Sequence, residues 1–142
     1  MAEVQLMTLA QYLASVSNVR WKVRDSDCGV FMADWIRELT GRDPIADIRG
    51  TYKNERQMLR IIRAEGGFEA SCAVRLAAVG MRETDAPKDG DVVNVMAPYA
   101  KRRGKVQSRA TGGLFVGGLQ AVMTSDMGLV IAPLPLLKAW TF

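Results

Sequence analysis

The sequence predicts an α+β fold in one domain, residues 1–142, with helices over about 5–80 and a small antiparallel sheet over about 90–142. Two observations carry this. Up to Gly80, apolar residues recur at spacings of three and four, the helical period. Beyond it, the turn-forming run Ala86-Pro87-Lys88-Asp89-Gly90-Asp91 is followed by β-branched clusters between glycines and prolines.

Leu6, Leu9, Ala10, Leu13 and Val16 predict a helix over 5–17, with Thr8 and Ser15 on its polar side. A polar connector, Arg20 to Asp27, holds Trp21. Asp27 is a good N-cap for a second helix starting at Asp27 or Cys28, because its carboxylate can accept a free backbone N–H. Val30, Phe31, Asp34, Trp35 and Leu39 continue that helix, and Gly41 suits its end. Asp43-Pro44 then predicts a short helix from Pro44 to Ile48. Two more helices follow, Lys53 to Glu65 and Phe68 to Val79.

In the second half, Val92, Val93 and Val95 predict a strand, and Ala97 to Gly112 reads as a polar connector. Leu114 to Val116 predicts a strand between glycines. Gln120 to Thr124 and Met127 to Ala132 predict two strands joined at Ser125-Asp126. Pro133-Leu134-Pro135 breaks the run before a last strand, Leu137 to Phe142. There is no internal repeat and no low-complexity tract.

Hydrophobic residues make up 49% and charged residues 24%, which suits a folded domain. No apolar run approaches the ~20 residues of a membrane span. The opening Met1-Ala2-Glu3-Val4 lacks the basic and apolar regions of a secretory signal, so synthesis and folding in a cytoplasm are expected. With only Cys28 and Cys72, and no histidine, neither a disulfide nor a zinc site is expected, and no metal or cofactor is implied.

Cys28 opens the predicted second helix, where free N–H groups and the helix dipole favour a thiolate. Hydrolysis by such a nucleophile needs a base to cycle the proton, normally an imidazole, and the chain has none. Asp25, Asp27 and Asp91 are the carboxylates within reach of consideration. A carboxylate of pKa ~4 is a poor base for a thiol of ~8.5. The competing reading is a small buried residue at a helix start. Asp34, six positions on, is off the face of Cys28 and is expected to bind backbone donors or an arginine, while Trp35 is expected in the core.

The order of elements resembles the NlpC-type papain-like cysteine peptidases, which cut peptidoglycan stem peptides. Asp27, Cys28 and Phe31 match their nucleophile motif, Gly90-Asp91 their first strand, and Leu114-Phe115-Val116 with Gly117 or Gly118 the body of their histidine strand. The resemblance puts the histidine slot at or beside Thr111 and the third polar residue near Met123 or Thr124. It implies a papain-like fold with a degenerate active site. The chain also resembles a group of small phage and prophage proteins. The shared features are Asp27 to Trp35, Thr40-Gly41-Arg42-Asp43-Pro44, Arg49-Gly50-Thr51-Tyr52 and Lys138-Ala139-Trp140. That resemblance implies a virion or tail-region protein, present in many copies among other virion proteins.

Lys101, Arg102, Arg103, Lys105 and Arg109 form a basic cluster around Gly104, a candidate binding surface. Contact with a neighbouring subunit is the first expectation. A solvated loop and a nucleic-acid contact are the alternatives, the last lacking a row of aromatics for base stacking. Gly112, Gly113, Gly117 and Gly118 suit close backbone approach or bulges rather than a phosphate loop. The apolar tail, Pro133 to Phe142, suits either the core or a docking strand. The expected function is thus a phage structural or assembly protein on a degenerate peptidase fold, resident in the virion. Two other readings stay open: a peptidoglycan hydrolase whose base comes from a partner chain, and a basic DNA-contacting protein of packaging or ejection.

Overall fold

A computed structural model describes residues 7–124 and 127–142. Four helices come first: α1 (Leu9–Val16), α2 (Cys28–Thr40), α3 (Glu55–Ala64) and α4 (Phe68–Ala78). Six strands follow: β1 (Arg82–Glu83), β2 (Val92–Arg102), β3 (Lys105–Val116), β4 (Leu119–Thr124), β5 (Gly128–Ala132) and β6 (Leu136–Thr141). They form one antiparallel sheet in the order β1-β6-β2-β3-β4-β5. The expected α+β class holds. Part of the call for the first helix, residues 5 and 6, lies outside the described residues, as does the predicted joint Ser125-Asp126.

The helix starts follow from their caps. Thr8 accepts the N–H of Gln11 at 3.1 Å while the Gln11 side chain accepts the N–H of Thr8 at 3.0 Å, so Thr8 caps α1 rather than lying on its polar face. Asp27 caps α2 through the N–H of Val30 at 3.0 Å, and Asn54 caps α3 through that of Gln57 at 2.8 Å. The predicted helix from Pro44 to Ile48 is instead a series of turns. Asp43 does cap, accepting the N–H of Ile45 at 3.1 Å. Its carboxylate is also gripped by Arg49 at 2.7 Å, and the chain bends around that ion pair.

The second correction is larger. Residues 97–112, read as a connector, are the ends of β2 and β3, paired from Val92–Leu114 to Arg102–Lys105. The two strands turn on Arg103 (φ 50°) and Gly104 (φ 76°), the left-handed pair that closes a tight hairpin. β6 accompanies β2 only from Val92 to Val95, and β4 accompanies β3 only from Gly113 to Val116. Among the described residues, the outer part of the hairpin is therefore a two-stranded arm. β1 was not anticipated; its two residues pair with Thr141 and Trp140.

The helices pack on one face of the sheet. Tyr12, Phe31, Trp35, Ile36, Leu76, Val92, Leu114 and Trp140 form that core. Trp35 is 2% exposed, and its indole N–H donates to the Gly90 carbonyl at 2.8 Å, tying α2 to the entrance of β2. Alternate residues of β2, Val93 and Val95, face the other way and pack with Val122 and Ala139. Leu134, between the two prolines, packs against this second cluster. The C-terminal stretch therefore divides: Trp140 is core, while Leu136 and Leu137 are nearly half exposed.

Candidate functional site

Cys28 is the first residue of α2, and its environment follows from the cap before it. Asp27 is fully buried. One carboxylate oxygen takes the N–H of Val30; the other takes the N–H of Arg24 and the Tyr52 hydroxyl, both at 2.7 Å. The helix start is thus pinned by a buried carboxyl group with three donors, as a buried polar group requires. Burial and that same carboxylate hold the Tyr52 phenol well above its ordinary range.

α2 lies close over β3. A methyl group on Gly112 would stand 2.1 Å from the terminal carbon of Met32 and 2.3 Å from its sulfur, so the bare glycine leaves the end of the Met32 side chain its place between helix and strand. The approach puts Cys28 beside Gly112 of β3. Burial raises the Cys28 pKa above that of an ordinary thiol; the N–H groups of Gly112 and Gly29 and the nearby Arg109 oppose this without overcoming it, and Asp27 adds to it. The helix N-terminus therefore does not lower this thiol's pKa on balance, because burial outweighs it.

Two cavities meet at Cys28. The smaller, about 20 Å³, is bordered by Cys28, Thr111, Trp21, Tyr99, Met123 and Thr124. The residue at the expected histidine slot and both residues at the expected third position are thus gathered at the thiol. None carries an imidazole. Thr111 donates to the Arg109 carbonyl at 3.1 Å, Thr124 to the Gly128 carbonyl at 3.0 Å, and Met123 is buried. Asp91 is engaged elsewhere, by the Thr141 hydroxyl at 2.7 Å and by Lys88 at 3.2 Å, and Asp25 pairs with Lys22 at 3.4 Å.

The larger cavity, about 140 Å³, lies under α3. Its walls are mainly apolar: Met32 and Ile36 of α2, Ile45 and Ile48 of the turns, Met58 and Ile62 of α3. α3 itself has no buried residue. Cys28 and Cys72 both border this space, and burial pushes the Cys72 thiol up to about 12. Asn94 on β2 is fully buried near Cys72, and neither its amide nitrogen nor its amide oxygen has a hydrogen-bond partner among the described residues. Asn94 was missed in the sequence, although a single polar residue within Val92-Val93-Asn94-Val95 is a visible signal.

The basic cluster divides in two. Lys101, Arg102, Arg103 and Lys105 are exposed at the tip of the arm. Arg109 sits at the base, between the two cavities. It pairs with Glu55 of α3 at 2.8 Å and lies over the Tyr99 ring, 4.7 Å from its centre. Asp34 meets Arg49 at 2.8 Å, the arginine partner expected of it. Among the described residues no cluster of histidine, cysteine or carboxylate side chains could hold a metal ion. No helix among them is long and apolar enough to cross a membrane.

Fold and site together define a small α+β domain with a helix-N-terminal cysteine facing a strand. The chain belongs to the DUF6950 family, a domain of unknown function, which it matches over residues 5–142. No curated protein matches it, and no solved structure does.

Proposed function

We propose that this chain is a structural or assembly protein of a tailed phage or prophage particle, built on a papain-like arrangement that has lost its chemistry, and that the β2–β3 arm docks on an acidic face of a neighbouring subunit. The arm is the observation that carries this reading. A two-stranded ribbon is marginal alone in water. This one is solvated on both faces toward its tip, exposes Val106 at 62%, and places four cations around the turn at Gly104. Such an element gains order and burial when a partner covers it. The phage setting comes from the sequence motifs shared with small phage and prophage proteins.

Replacing Arg102, Arg103 and Lys105 together with alanine tests this. Folding should be unchanged, since exposed charges contribute little to stability. Incorporation into particles should fall. Under a DNA-contacting role, the same change would instead weaken duplex binding and reduce its log–log salt slope by about three. Duplex binding tighter than ~1 μM near physiological salt, lost in the triple variant while particles still assemble, would overturn the proposal.

A further inference from the structure

We infer that the cavity under α3 is a binding site for a small amphipathic carboxylate, its apolar tail inside and its head on Arg109. The tail side rests on size and lining. A cavity of ~150 Å³ lined by aliphatic side chains accommodates a benzene ring, so a tail of about six carbons matches this one. Its volume is about 140 Å³ and its surface is overwhelmingly apolar.

The head side rests on Arg109. One of its terminal nitrogens, Nη1, is taken by Glu55, and its face lies over Tyr99. Nε and the other terminal nitrogen, Nη2, have no hydrogen-bond partner among the described residues, and Arg109 is one of the residues lining the cavity. That free edge is the geometry that binds a carboxylate through two parallel hydrogen bonds. The other guanidinium in the wall, Arg75, is already engaged by Glu65, Asp47 and the Pro44 carbonyl. The polarity of the mouth therefore selects an acceptor, and Arg109 is the group that selects it.

The test uses octanoate, with octan-1-ol as the same tail without charge, in calorimetry and by the methyl signals of Met32 and Met58. Octanoate should bind one to one and shift both methyl signals. Arg109→Gln should weaken octanoate about tenfold, as loss of a charge-assisted pair does, and leave octanol unchanged. Glu55→Gln, which removes the carboxylate charge that competes for Arg109, should strengthen octanoate. Met58→Trp fills the cavity from its half-exposed roof and should abolish binding of both. No binding of octanoate at ~10 mM, weaker than any useful site, overturns the inference. Binding that survives Met58→Trp overturns the place of the tail. Equal binding of acid and alcohol, indifferent to Arg109→Gln and Glu55→Gln, overturns the place of the head.

Discussion

The Tyr52 hydroxyl donates to the buried carboxylate of Asp27 at 2.7 Å, across twenty-five positions of sequence. The turn region before α3 is thereby fastened to the N-cap of α2. Tyr52→Phe should cost about 1–3 kcal/mol, the cost of leaving a buried acceptor short of a donor. Asp27→Ala should cost more, since Val30, Arg24 and Tyr52 all lose their acceptor. In a double-mutant cycle by denaturant unfolding, the two changes should be clearly non-additive. Additive losses would mean the bond contributes nothing.

The thiol of Cys28 should alkylate more slowly than a free cysteine at pH 8, because its raised pKa leaves less thiolate there. The rate should climb steeply with pH and jump on denaturation. The isolated chain should leave peptidoglycan uncut. Thr111→His puts an imidazole at the cavity that Thr111 shares with Cys28. That variant should label faster at neutral pH, measured by mass spectrometry with iodoacetamide. Cleavage of peptidoglycan by the wild type, lost in Cys28→Ala, would falsify the loss of chemistry.

Gly112→Ala should be destabilising by a modest amount, absorbed by one flexible neighbour. Its methyl meets the terminal carbon of Met32 at 2.1 Å, so the end of that flexible side chain has to turn away, costing about 0.5–1.5 kcal/mol. Met32→Ala in the same chain should recover part of that loss by making room. Thermal unfolding of the two single variants and the double variant checks this. No recovery would place the strain in the backbone of β3 instead.

Arg75 should govern part of the acid response. It grips Glu65 and Asp47, and those contacts hold both carboxylates below their ordinary ranges. A depressed native pKa stabilises the fold above the unfolded pKa, and that stability is lost as pH falls through the native value. For Glu65, with an ordinary value of 4.5, the contribution is full near neutrality and fades below about pH 4.5. Arg75→Met should cost roughly 2 kcal/mol at pH 7, discounted for the exposure of Asp47, and should flatten the acid limb of the stability curve. Parallel acid limbs in both proteins would show that the pairing carries no net energy.

Much of this architecture is written locally. Asp27 as a cap, the helical period of Val30 to Leu39, and the glycines at 41, 66 and 67 identify α2, α3 and α4 closely because helices are stabilised by neighbours in sequence. The arm was not legible for a physical reason. A ribbon with water on both faces needs no alternation of apolar and polar residues, so Tyr99 to Arg109 has the composition of a loop. The Arg103-Gly104 turn was the available signal. Cys28 was found from its cap, and Thr111 from a family resemblance. The Arg109–Glu55 pair joins residues fifty-four positions apart and has no local signature. The cavity is likewise a property of packing, since its walls come from five separated segments.

The place of β6 has a consequence for how the molecule is made. It lies between β1 and β2, although β3, β4 and β5 all precede it in the chain. Until it arrives, β2 presents the unpaired backbone of Val92 to Val95, and the space filled by Trp140 stands open to water. A nascent or truncated chain therefore carries a hydrophobic strand edge able to capture an identical chain. Strand closure is non-local, which slows collapse to the native state. Many copies synthesised close together would face this hazard at once, and a chaperone or an early subunit contact that shields that edge would raise the yield of correctly built molecules.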